Sequence, residues 1–163
     1  MKRAHAVLPA GSWDAATASD MVLIDYDRRH RRRVALITKA GERLLLDFAH
    51  ALVLRQDDGL ALDDGSVVHV CSLSEPLLEI HAHQNNELVR IAWHLGNRHL
   101  PVQLLGDRIR IRADHVIAEM VERLGGHVEP IDAPFDPETG AYTNDANVRP
   151  PHHHNEDDIH DHE

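Results

Sequence analysis

Apolar residues recur along this chain with two different periods, and the change of period divides it. Up to about residue 74 they come in short runs separated by turn signals. Residues 21–25 and 33–38 read as strands, and Lys39-Ala40-Gly41-Glu42 turns the second into a third at 43–48, which predicts a hairpin. Asp57-Asp58-Gly59 and Asp63-Asp64-Gly65 are further turn signals, and residues 66–72 read as the strand that follows. No helical period interrupts this stretch. At Ser74-Glu75-Pro76 the proline discourages continued strand pairing and marks a boundary.

Beyond it the order is clearer. Residues 77–82 alternate, with Leu78, Ile80 and Ala82 on one face and Glu79, His81 and His83 on the other. Leu88, Ile91, Ala92 and Leu95 then fall at helical spacing, and Gly96-Asn97 supplies the irregular backbone expected to end that helix. A strand is expected at 100–105 and a second, strictly alternating one at 108–112. Asp114 is a good N-cap for a helix carrying Ile117, Met120, Val121 and Leu124, which Gly125-Gly126 stops before a last strand at 127–132. That order, βαββαβ, is the ferredoxin-like motif. The expected fold class is therefore α+β: a small all-β domain (1–75), a ferredoxin-like domain (76–143), and a flexible tail rich in His, Asp and Glu (144–163).

Composition changes the picture in two places. The 163 residues carry 17 Lys and Arg against 27 Asp and Glu, a net charge of -10, which argues against a general polyanion binder. With one cysteine the chain has no internal disulfide and no thiolate metal cage, which fits a reducing compartment. No apolar run reaches signal-peptide or membrane-span length, so a soluble cytoplasmic protein without membrane or nucleic-acid partners is expected. The outlying number is 15 histidines. Five of them, His152, His153, His154, His160 and His162, lie in the last twelve residues among five acids and no Lys or Arg. Imidazoles suit Ni, Zn and Cu, and flanking carboxylates attract cations, so this segment reads as a loose metal-capture tail rather than an inert solubilising one.

Other candidates need a bland reading beside the functional one. His99 is expected just past a helix end, on a turn where a neutral imidazole can offer a lone pair to a metal. Taken alone, such a residue is more often a hydrogen-bonded histidine than a ligand. His115 opens the second helix, whose N-terminus disfavours a charged ring, and a plain surface histidine fits equally well. His81-Ala82-His83 has the spacing of some metal-dependent hydrolases, but Asn85 and Asn86 follow where those sites continue to an Asp and a His. An exposed, unliganded role suits that pair better. There is no His-Glu-x-x-His, nucleophile elbow or phosphate loop. Five arginines between Arg28 and Arg33 read either as a solvated sheet edge or as a docking patch for an acidic partner.

His94-Leu95-Gly96-Asn97-Arg98-His99-Leu100-Pro101-Val102-Gln103, followed by Arg112-Ala113-Asp114-His115-Val116 and the histidine-rich tail, resembles the urease accessory nickel metallochaperones (the urease accessory protein E family). The resemblance implies a carrier of Ni(II), with Zn(II) or Cu(II) accommodated by the same ligands, rather than an enzyme. It implies a homodimer in which His99 of each chain meets at the interface, with His115 and tail histidines such as His152–His154 as auxiliary ligands. It implies as partners the urease accessory GTPase and the apo-urease accessory complex. Many members carry a further histidine where this chain has Ala113, which shifts metal binding towards the tail. The alternatives are an H-x-H metal-dependent hydrolase or another metal-binding or storage protein.

Overall fold

The computed structural model describes residues 1–139; the histidines expected to form the tail site, His152, His153, His154, His160 and His162, lie outside the described residues. The expected hairpin is present. Arg33–Ile37 (β3) and Arg43–Asp47 (β4) pair antiparallel, with Leu36 opposite Leu44. Around it stand Lys2–Leu8 (β1), Asp20–Ile24 (β2), Gly59–Leu62 (β5) and Val67–Ser72 (β6), in one six-stranded sheet of order β2-β6-β5-β1-β4-β3. Two of these strands are not legible in the sequence. β1 has a mixed surface, and β5 begins inside a turn signal. They are strands because β1 lies between β4, parallel, and β5, antiparallel, so that both neighbours satisfy its backbone. Val22, Ile24, Leu44, Leu46, Leu60 and Val70 form the core of this sheet.

A second sheet follows: Ser74–His81 (β7), Gln103–Leu104 (β8), Ile109–Arg112 (β9) and His127–Pro134 (β10), in antiparallel order β10-β7-β9-β8. With helices at Asn85–Asn97 (α2) and His115–Arg123 (α3), and a short one at Tyr26–Arg29 (α1) in the first half, the element order of the second half is βαββαβ. Helices cover one face. Leu88, Ile91 and Leu95 of α2 and Ile117 and Val121 of α3 pack with Leu78, Ile80, Ile109 and Ile111 of the sheet. Burying an aliphatic side chain is worth about 1.5–3 kcal/mol, and these positions supply the drive for the layer.

Three details differ from expectation. Pro76 lies within β7, opposite Asp132 of β10, and β9 joins on the other side only from Leu77. The proline thus stands where its missing N–H has no partner to lose. The strand expected at 100–105 shrinks to Gln103–Leu104, because Leu100 and Val102 pack into the helical layer instead. The arginine run is split. Arg33 opens β3, whereas Arg29 is 1% exposed and donates to the carbonyls of Leu54 and Phe135. Burial lowers the Arg29 pKa, and the two carbonyls replace the water lost by Nη1 and Nη2, while its buried Nε is left without a partner among the described residues. Tyr26 packs against Phe135 with ring centroids 5.1 Å apart and the rings tilted by 57°, Arg112 pairs with Asp27 at 2.9 Å, and Arg55 pairs with Asp136 at 3.0 Å. Part of the sequence's most basic stretch is therefore a structural joint between the halves. No helix among the described residues is long and apolar enough to cross a membrane.

Candidate metal site

The residue expected to be central, His99, has an unusual backbone. α2 does not stop at Gly96-Asn97 but runs through both, and Gly96 is not in a left-handed conformation. His99 takes that conformation itself, with φ of 59°. The hydrogen bonds explain why. The His99 N–H donates to Gly96 O at 3.0 Å and the Leu100 N–H to Leu95 O at 3.5 Å. This is a Schellman ending with Arg98 as cap, His99 one residue beyond and Leu100 after it, and Leu100 packs in the same core as Leu95. The position usually held by glycine holds a histidine. An L-residue pays about 1–2 kcal/mol for such a backbone, and outliers of this kind cluster at functional sites.

The backbone fixes the turn that bears the imidazole. His99 is exposed, and among the described residues its ring has no hydrogen-bond partner. Leu100 and Pro101, directly after it, line a groove of about 330 Å³ with Ile111, Arg112, Ala113, Asp114 and Ile117. The groove therefore runs from the turn bearing His99 to the segment leading into His115. Asp114 caps α3 as expected, accepting from the N–H groups of Val116 at 2.9 Å and Ile117 at 3.2 Å. His115, first residue of that helix, is exposed. The structure thus places the neighbours of both folded-domain candidates along one groove. Ala113 lines it without a ligand atom. Exposed apolar side chains occur on both helices: Val89 (68%) and Trp93 (64%), one turn apart on α2, and Val116 (53%) beside His115 on α3.

His81 and His83 do not act together. The His81 Nε2 lies 2.9 Å from Glu79 Oε1, while the His83 Nε2 lies 2.8 Å from the Nε2 of His127. Glu79, His81 and Glu129 bring ligand atoms within 4.8 Å of one another on the sheet face opposite the helices. Burial pushes the Glu79 carboxyl up, but hydrogen bonds from Arg110 and His81 outweigh it and leave its pKa below the ordinary value. This group is not apparent in sequence, because Glu129 and His127 reach Glu79 and His81 only through the β7–β10 register. The polar alternation Glu79, His81, His83 was the one available signal.

Comparison with known proteins covers nearly the whole chain. The family described as UreE urease accessory protein, C-terminal domain, matches residues 75–163, and its N-terminal domain counterpart matches residues 3–73. The chain is 51% identical over 154 residues to the urease accessory protein UreE of Rhodopseudomonas palustris (strain BisB18), covering 94% of this chain and 72% of that protein. It is 52% identical over 149 residues to that of Bradyrhizobium sp. (strain BTAi1), covering 91% and 72%. With that of Chelativorans sp. (strain BNC1) it shares 45% over 145 residues, covering 89% and 90%.

Proposed function

Because the chain belongs to the UreE urease accessory protein family, we propose that it is a metallochaperone that captures Ni(II) and donates it during assembly of the urease metallocentre. It is an accessory protein and not an enzyme, working with the other urease accessory proteins. The observation that carries the nickel reading is His99: an exposed imidazole, free of intramolecular bonds among the described residues, on a backbone that glycine would hold more cheaply. A carrier needs few protein ligands per ion, so that the ion can leave again. One imidazole is too few, and a two-fold axis doubles it.

The reading in full is a cytoplasmic homodimer with His99 of each chain on one ion. Val89 and Trp93 on α2 and Val116 on α3 are large apolar side chains left exposed on the helical layer, the kind of surface a self-association covers. His115, along the groove, and the tail histidines His152, His153, His154, His160 and His162 act as auxiliary and storage ligands, which Zn(II) or Cu(II) also occupy. The accessory GTPase and the apo-urease complex receive the cargo.

Calorimetric titration of the full chain with Ni(II) tests this, alongside measurement of its mass in solution. The expected result is a dimer with one tight ion per two chains, followed by weaker ions, and His99→Ala removes the tight step while the dimer and the circular dichroism persist. One tight ion per chain, or a tight step that survives His99→Ala, overturns the assignment.

A further inference from the structure

We propose a second transition-metal site on the open face of the βαββαβ sheet, with His83 and His127 as its nitrogen ligands. It uses none of the residues assigned to nickel capture above. His127 opens β10, opposite His81 in register, and His83 stands two residues beyond His81, just past the end of β7. Both imidazoles are exposed, and their Nε2 atoms approach to 2.8 Å with the rings nearly perpendicular at 86°. In the metal-free chain, one ring donates its Nε2–H to the other's lone pair, so the pair carries at least one proton fewer than two imidazolium rings. A cation replaces that shared proton. The donor ring gives up its Nε2–H to water and, where its Nδ1 is bare, takes a proton there in exchange, so that both Nε2 lone pairs face the ion.

The spacing suits such an ion. Metal–nitrogen bonds of about 2.0–2.1 Å place two ligand nitrogens about 2.9 Å apart at a right angle and about 3.4 Å apart in a tetrahedron. The observed separation matches the right-angled case, the geometry of Ni(II) and Cu(II), and a tetrahedral Zn(II) requires the rings to open slightly. Next along the two strands lie His81 and the directly opposed carboxylates Glu79 and Glu129. Glu79 is neutralised by Arg110 at 2.9 Å and Arg108 at 3.4 Å, and it holds the His81 ring. Glu129 has no ion pair among the described residues and is left to attract the cation. A solvated histidine pair with no purpose would have little reason to approach so closely, since each ring satisfies itself with water at less cost in side-chain freedom.

Imidazole nitrogen NMR on the full chain tests the site, with the His83 and His127 signals assigned by His83→Gln and His127→Gln. Both positions are exposed, so the variants keep the fold, which the backbone amide spectrum checks. On titration with excess Zn(II), the two rings are expected to move together to the pattern of an Nδ1–H ring coordinated through Nε2. With Ni(II) alone, both are expected to broaden. His127→Gln should abolish the response of His83 while leaving the other histidines responding, and Glu129→Gln should weaken the step without removing it. Rings that stay unchanged at excess of both ions, or a His83 response that persists in His127→Gln, overturn the proposal.

Discussion

The two helices of the βαββαβ unit end with the same hydrogen bonds and opposite residue choices. At the end of α3, Gly125 takes φ of 88°, its N–H donating to Glu122 O and that of Gly126 to Val121 O, each at 3.0 Å. At the end of α2 the same two roles fall to His99 and Leu100. The α3 ending is the cheap solution: glycine bears no Cβ to strain, and Gly126 fits where one would meet Val121 Cγ1 at 2.6 Å and Ile91 Cδ1 at 2.8 Å. The α2 ending places Leu100 in the core and makes the left-handed residue a histidine. One end is built for stability. The other gives up some of it, with a histidine in the left-handed position at the surface.

Exchanging features between the two ends tests that contrast. Gly126→Ala has the largest expected effect: the added methyl has no room, and overpacking of this kind costs about 1–3 kcal/mol, read as a lower midpoint in urea unfolding. Gly125→His comes next. The nearest atom to a new Cβ is Glu87 Oε1 at 4.0 Å, so only the backbone objects, at about 1–2 kcal/mol. His99→Gly runs the other way: the chain should gain about 1 kcal/mol in the same unfolding experiment and lose its tight nickel step in calorimetry. A loss of stability instead would mean that the His99 ring contributes contacts that outweigh its backbone strain. The smallest effect belongs to Gly96→Ala. Nothing lies within 4 Å of the new methyl and the position is helical, so a gain of about 0.5–1 kcal/mol is expected with nickel binding intact.

Gly96 also shows where reading the sequence goes astray. A glycine followed by asparagine just past an apolar stripe is the usual helix stop, and the helix runs through both. The turn is decided by Leu100, which packs, partly buried, against the same core as Leu95 and pulls the chain over three residues later. Local propensity at that end is about 1 kcal/mol, and burying a leucine outweighs it. The arginine run is a similar case. Composition marks it as surface, but Arg29 is drawn inward by the carbonyls of Leu54 and Phe135, residues distant in sequence.

What the chain's sequence determined alone is what rests on period and on local hydrogen bonds: the β3–β4 hairpin, the Asp114 cap, the glycine stop of α3, the alternation of β7 and β9, and the βαββαβ order. Its motif around His99, together with the Asp114-His115 pair and the histidine-rich tail, also identified the family. What only the tertiary structure decided is what depends on register and on competition for burial. That includes the placement of β1 and β5 in the first sheet, the strained backbone of His99, and the meeting of His83 with His127. A side chain two residues along a strand always returns to the same face, so alternation is legible in one segment. Which strand lies opposite, and in what register, is settled by the whole core at once, and no single segment contains it.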